Sequence, residues 1–456
     1  MRCSPLGPAS PGTGDSIACP SHRNDAAARE VTMQARRPLA STCEDIYRAA
    51  LHRLDAARRV AAELASSPLP PGPVRVLALG KAATPMIEAA LAALGDRARH
   101  PLCVHPEGTR PPAGARAIAA GHPRPTRGSL AAGEAIRAWA DANGGATALV
   151  LLSGGGSALA VAPAAGLSLE EKADALAAVM RAGATIQELN AVRKHLSDLK
   201  GGRLGARLAP APVRVLVLSD VPGDDLSTIA SGPLVPDPTT WADVGAVLDR
   251  TRTRGALPAA VRAFVEAESA AGRETPKPGD PRFATIAHRL LAGPTELARA
   301  AAEAAAERGI SAEADPAPLT GDVAAVAARL GAWARANAGR GPRLLALGGE
   351  PTISVPAAAH PDGGRAQALA LLAAKELAGL PAAALAAGSD GRDGPTEHAG
   401  AVVDGETAPG AAAAGVDLDA ALAEARSGPA CAALGVAIPR FETGTHVCDL
   451  VLVAVE

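Results

Sequence analysis

Three short apolar runs, each ending in a loop of glycine, serine or aspartate and followed by sequence of helical character, set the strongest limit on how this chain can fold. Residues 74–79 run into Gly80-Lys81, residues 148–152 into Ser153-Gly154-Gly155-Gly156-Ser157, and residues 213–218 into Ser219-Asp220. Strands that alternate with helices through tight loops pair in parallel, so the repetition predicts an α/β fold with a mostly parallel, Rossmann-like sheet. Such sheets hold ligands outside the carboxyl ends of their strands, which is where these loops fall.

The remaining signals arrange themselves around those units. Residues 1–38, rich in Pro, Gly, Ser and Ala without periodicity, read as a disordered leader. Apolar positions at helical spacing predict a helix over 44–67, ended by the proline-rich stretch 68–73. Gly80 is expected to open a helix reaching about residue 94, with Lys81 in its first turn. Further strands are expected near 102–105 and 115–119, and helices from about 129 and 168. At 456 residues the length favours two domains. The Pro- and Gly-rich stretch 271–281 reads as the linker between a first domain, 39–270, and a smaller α/β domain with a mixed sheet, 282–456. The second domain is expected to hold strands at 285–291, 344–347 and 447–455, helices at 296–308 and 322–336, and polar glycine loops at 362–365 and 388–394.

Composition excludes several partners. Apolar residues make up 48% of the chain but aromatics only 2%, so base stacking is scarcely available, and a formal net charge of -2 lacks the basic footprint of a nucleic-acid binder. No run approaches the ~20 apolar residues of a membrane helix. The six cysteines are scattered and show no zinc spacing, which fits a reduced, cytoplasmic setting. The expected partner is a small molecule, and a homodimer stays open at this point.

Charge collects in one stretch, residues 190–233. Arg193, Lys194, His195 and Lys200 precede the run 213–218, and Asp220, Asp224 and Asp225 follow it, so cations suited to phosphate lie near carboxylates suited to Mg2+. His195 also reads as a helix-face residue that supports the loop. Lys81 beside a helix N-terminus can neutralise a phosphate or carboxylate. The turn Ser153, Gly154, Gly155, Gly156, Ser157 lets backbone N–H groups approach an anion. In the second domain Arg365 offers a bidentate clamp, and Asp390 and Asp393 read as metal ligand or general base. His446 and Cys448, two apart with no further ligand nearby, read as unrelated to a metal. Three familiar sites are disfavoured. Arg75 and Ala82 break the P-loop pattern, Leu159 stands at the third glycine of a dinucleotide fingerprint, and residues 155–159 fail the nucleophile-elbow pattern.

Taken in order, the segments LALGKAA (77–83), GHPRP (121–125), LLSGGGSAL (151–159), NAVRKHLSDLKGGRL (190–204), SDVPGDD with IASGP and DPTT (219–240), LGGEPTISV (347–355), GGRAQALAL (363–371), SDGRDGPTEHAGAVVD (389–404) and TGTHVCDL (443–450) resemble the class II glycerate 2-kinase family, whose C-terminal part is the MOFRL domain and whose members are sometimes labelled hydroxypyruvate reductases. The resemblance implies transfer of the ATP γ-phosphoryl group to the C2 hydroxyl of D-glycerate, or of a related 2-hydroxy acid, with Mg2+, in a cleft between two α/β domains. It also implies that Lys81 and Arg365 are active-site residues. Asp220 and Asp390 join them as expected catalytic groups, Asp220, Asp225 and Asp393 as metal candidates, and Gly364 and Glu350 join the substrate- and phosphate-binding set. The chain departs from the family pattern at Ala366 and Ala368, where Asn and Glu are usual, at His446 and Cys448, where Asn is usual, at Phe441-Glu442 in place of Gly-Pro, and around Arg426 and Ser427, where an Asn-Asp pair is usual. Two other readings stay open from sequence: an NAD(P)H-dependent hydroxypyruvate reductase, and a non-catalytic homologue that binds a hydroxy acid or nucleotide.

Overall fold

Six parallel strands form the first sheet of the computed structural model, which describes residues 38–355 and 361–456. They are β1 (Val74–Leu79), β2 (Ala98–Pro106), β3 (Arg116–Ala120), β4 (Thr147–Leu152), β5 (Val213–Leu218) and β6 (Ile286–Ala292), in the order β3-β2-β1-β4-β5-β6. The sheet is flanked by helices, and its central strand β1 is buried along its whole length, so β1 reads as a near-continuous apolar run rather than an alternating one. Register decides where the loops meet. Leu79 pairs with Leu152, and Leu152 with Val217, so β1, β4 and β5 end side by side. The expected leader lies outside the described residues except for Pro38.

The helix expected over 44–67 is two helices, α1 (Pro38–Arg53) and α2 (Ala56–Ser66). Asp55 separates them because its side chain accepts the Arg58 N–H at 2.8 Å and so starts a new helix. After β1, residues 80–82 turn before α3 (Ala83–Leu94) begins. Helix α4 (Arg127–Asp141) joins β3 to β4, and α5 (Ile186–His195) and α6 (Arg203–Leu208) precede β5.

The run expected to open the second domain instead completes the first sheet. Residues 286–292 pair in parallel with β5, Val213 opposite Ile286, because their backbone groups close that sheet's edge. The domain boundary expected at 282 therefore falls within the first sheet's segment. Helix α7 (Pro294–Ala306) follows, then β7 (Ser311–Ala314), α8 (Val323–Asn337), β8 (Arg343–Gly349), α9 (Arg365–Glu376), β9 (Ala382–Gly388), β10 (His398–Asp404), β11 (Ala437–Pro439) and β12 (Asp449–Val455). The second sheet runs β11-β10-β9-β12-β8-β7, antiparallel except for the β7/β8 pair, and so equals the first in strand number. Asp449 pairs with both Gly349 and Gly388. The end of β8, the end of β9 and the start of β12 thus gather at one edge.

The two sheets share a core. One buried cluster joins Val76, Leu149 and Leu216 of the first sheet to Leu344, Leu385 and Leu452 of the second, with α1, α2, α3 and α7 contributing to it. Tyr47 on α1 donates its hydroxyl to the Gly388 carbonyl at 2.7 Å, and the Ala56 N–H donates to Gly444 O at 3.2 Å. Residues 39–456 accordingly form one compact unit.

Candidate active site

Because β1 and β4 end in register, the loops that follow them are laced together. The Lys81 N–H donates to Gly154 O at 2.9 Å, the Ser153 N–H to Leu79 O at 3.0 Å, and the Ala82 N–H to Ser153 Oγ at 2.9 Å. Ser153 is thereby buried and spent on structure. The glycines that follow are required by what sits over them. A Cβ on Gly154 would lie 2.0 Å from Asp220 Oδ2 and 2.4 Å from His446 Cδ2. Gly155 has φ +83°, and a Cβ there would meet His122 Cδ2 at 3.0 Å and Lys81 Cγ at 3.2 Å.

Four charged or ionisable side chains converge on this loop from both sheets. Asp220 follows β5, His446 precedes β12, Asp390 follows β9, and Lys81 follows β1. His446 Nε2 is 3.2 Å from Asp220 Oδ2, its Nδ1 is 3.5 Å from Asp390 Oδ2, and Lys81 Nζ is 3.4 Å from the same Asp390 oxygen. Burial works to raise both carboxyl groups, but His446 and Lys81 outweigh it and hold Asp220 and Asp390 below the usual carboxylate range. Both are therefore ionised at neutral pH. His122 stays exposed, yet lost hydration at the loop and the charges of Lys81 and His446 push its imidazole down to about 4, so it is neutral there.

Arg365 opens α9 at the edge where β8, β9 and β12 meet. Its Nε donates to Asp449 Oδ2 at 2.6 Å and its Nη1 to Glu350 Oε1 at 2.5 Å. Burial opposes its charge, but Asp449 and Glu350 overcome that and raise its pKa. Of the two partners Asp449 is buried and Glu350 is exposed, so the Glu350 side of the guanidinium is the one open to exchange. Gly364 is close-packed, since a Cβ there would lie 2.0 Å from Asp393 Oδ1.

Several expected site residues take structural roles. Asp393 accepts the N–H groups of Ala366 and Gln367 at 3.1 and 2.8 Å and so caps α9, while burial and the Asp449 charge push it up to about 7. Asp225 closes its own turn through Ser227 and Thr228. Neither is disposed as a free metal ligand, and among the described residues no group of three or more His, Cys, Asp or Glu could hold a metal ion. The cations of α5 and its successor turn inward. Lys194 pairs with Asp237 at 3.3 Å in the interior. His195 lies between the Ala191 carbonyl and the Glu274 carboxylate. Lys200 donates to Ser157 O and Ala160 O from beneath the glycine loop. All three are buried, Lys194 and His195 where α5 packs into the core and Lys200 in the turn after it, so Lys200 braces the loop and none of the three faces a ligand. Arg193 holds Asn190 Oδ1 at 2.6 Å, and Asn190 reaches Ser231, whose hydroxyl is 2.7 Å from that of Ser157.

Sequence reading gave His122 no role and set His446 aside as unrelated to a metal. His122 was reachable in principle, because it follows β3 at the carboxyl edge of a parallel sheet. His446 gave no local signal, since its partners lie 226 and 56 residues away.

The MOFRL family matches residues 343–449, and a domain of unknown function, DUF4147, matches residues 42–266. The chain is 37% identical over 394 residues to the D-glycerate 2-kinase of Thermotoga maritima, covering 83% of this chain and 90% of that protein. It is 34% identical over 346 residues to the glycerate 2-kinase of Pyrococcus horikoshii, covering 75% of this chain and 78% of that one. A crystal structure of glycerate kinase from Thermotoga maritima superposes with a TM-score of 0.82 at 33% identity, over 91% of this chain and 99% of the other.

Proposed function

This chain belongs to the class II glycerate 2-kinase family, and we propose that it transfers the γ-phosphoryl group of ATP to the C2 hydroxyl of D-glycerate, giving 2-phosphoglycerate and ADP, as a cytoplasmic enzyme that uses Mg2+. The observation that carries the reading is the meeting of Lys81, Asp220, Asp390 and His446 over Gly154 and Gly155, with residues from both sheets.

Phosphoryl transfer asks the protein mainly to align the reactants and to offset charge on the phosphoryl oxygens. The glycine loop lets phosphate oxygens come close to the backbone. Lys81, steered by Asp390, points an ammonium at the transferred group. Arg365 presents its guanidinium to the glycerate carboxylate as Glu350 gives way. Asp390, kept ionised, accepts the proton of the attacking hydroxyl. For Mg2+ the fitting donor is Asp220, ionised and seated on the loop, because Mg2+ takes one or two carboxylates and fills its shell with phosphate oxygens and water. When bound, the ion would neutralise charge on the β- and γ-phosphates. Asp225 and Asp393 do not fit, being committed to backbone and hydroxyl donors.

Coupled ADP release with glycerate, ATP and Mg2+ tests the reaction, and NMR of the product distinguishes the 2- from the 3-phosphate. Lys81→Ala should lose activity while circular dichroism stays native. Wild-type turnover by that variant removes Lys81 from the site, and absence of glycerate-dependent ADP with the native protein overturns the assignment.

A further inference from the structure

A second concentration of charge lies away from the glycine loop. A surface cavity of about 600 Å³ opens beside α6 and the segment 274–282, lined among others by Asp198, Arg203, Arg207, Lys277, Asp280 and Arg282. Arg207 also reaches Asp141, the last residue of α4, and residues 281–283 lead into β6, so this wall stands where β4, β5 and β6 begin. Asp220 stands at the opposite end of β5, roughly 20 Å away for a six-residue strand.

The lining carries four cations against three carboxylates. Arg207 pairs with Asp198 at 2.7 Å, Arg282 with Asp280 at 2.6 Å, and Lys277 with Glu274 at 3.0 Å. That uses all three lining carboxylates against three of the four lining cations. The fourth, Arg203, has a buried Nε with no hydrogen-bond partner among the described residues. That half-buried, unpartnered Nε–H is costly unless an acceptor satisfies it, since Asp198, Glu268 and Asp237 act on the guanidinium only at longer range, and its planar fork suits a tetrahedral oxyanion. The wall is also held in place beforehand. Glu274 contacts His195, and Thr275 donates to Asp237 at 3.0 Å, so the segment is fastened to buried groups on α5 and after β5.

We propose that this cavity binds a small phosphate-bearing anion through Arg203, with Arg207 and Arg282 beside it. The ligand is either inorganic phosphate or the phosphate group of a small monoester, both of which present the same oxyanion. The site is separate from the proposed kinase chemistry and does not depend on it.

Calorimetric titration of the Lys81→Ala protein, in which the glycine-loop site lacks its ammonium, tests the proposal with inorganic phosphate and with glycerol 2-phosphate, the Arg203→Gln arm separating the cavity from that loop. The expected result is saturable binding of at least one probe with a dissociation constant below about 1 mM. That binding should weaken at least about tenfold when Arg203→Gln is added. The tighter probe identifies the source of the phosphate. Absence of saturable binding by both probes, or equal binding after Arg203→Gln, overturns the proposal. Should Arg203→Gln fail to fold, Arg282→Gln, on the exposed segment, carries the same expectation and the same refutation.

Discussion

His446 and Asp220 stand 3.2 Å apart although one precedes the last strand of the second sheet and the other follows the fifth strand of the first. With Asp390 on the other side of the same imidazole, the contact ties both sheets to the rim of the glycine loop.

Loss of that tie should be felt in turnover. A hydrogen bond to a charged group is worth about 1.5–3 kcal/mol, so His446→Ala should lower kcat/KM for glycerate by roughly 10- to 100-fold. His446→Asn, which keeps a donor toward Asp220, should lose less. Steady-state kinetics on the two variants compares them directly, and equal activity in His446→Ala would make the contact incidental.

Gly154→Ala places a methyl group where Asp220 and His446 already sit. Overpacking of this kind costs about 1–3 kcal/mol of stability. Displacement of groups at the reacting centre by about 1 Å can cost on the order of 100-fold in rate. The expected variant is folded, with a lowered Tm, and nearly inactive. A variant with native turnover would mean that the loop yields without disturbing the carboxylate.

Lys194 separates a bracing role from a binding one. Removing one member of a buried ion pair leaves the other charge uncompensated, at about 3–5 kcal/mol. Lys194→Met should therefore unfold at markedly lower denaturant because it strands Asp237, while the KM for ATP stays near that of the native protein. A raised KM with unchanged stability would return Lys194 to the ligand-binding set.

Asp393 should leave a signature in the pH dependence of stability. Burial and the Asp449 charge raise its folded pKa to about 7, above the 3.8 of an unperturbed Asp. Between those values the folded protein holds a proton that the unfolded chain has released. Its contribution is therefore full below about pH 4, is lost as pH rises toward 7, and amounts to a few kcal/mol across that window. Asn cannot titrate. Denaturant unfolding from pH 4 to 8 should show the native protein losing stability relative to Asp393→Asn as pH rises, and parallel curves would contradict the raised pKa.

The first sheet was legible wherever local pattern carried it. Strands β1, β4 and β5 were visible as apolar runs, and the loops after them as glycine, serine and aspartate, because a buried parallel strand and a tight turn each leave a mark in a few consecutive residues. Much of the second sheet left no such mark. Strand β9 reads AAALAAG, a composition that favours helix by propensity, and becomes a fully buried central strand because β10 and β12 pair with both its edges. Its pairing with β12 is what brings Ser389 and Asp390 to the edge where His446 arrives.

The cations of residues 190–203 make the same division. Their charge was plain in the sequence, and a basic stretch beside an acidic loop suggested one ligand wall. Packing decided otherwise by turning Lys194, His195 and Lys200 into the interior, where Asp237, Glu274 and two carbonyls satisfy them. Sequence by itself determined the parallel sheet and the glycine loop, since each rests on neighbours within one turn or strand, and it singled out Lys81, Asp220, Asp390 and Arg365 as candidates. Only the tertiary structure decided which charges remain available to a ligand and that His122 and His446 join them. Availability depends on burial and on partners up to 226 residues away, and no local pattern encodes either.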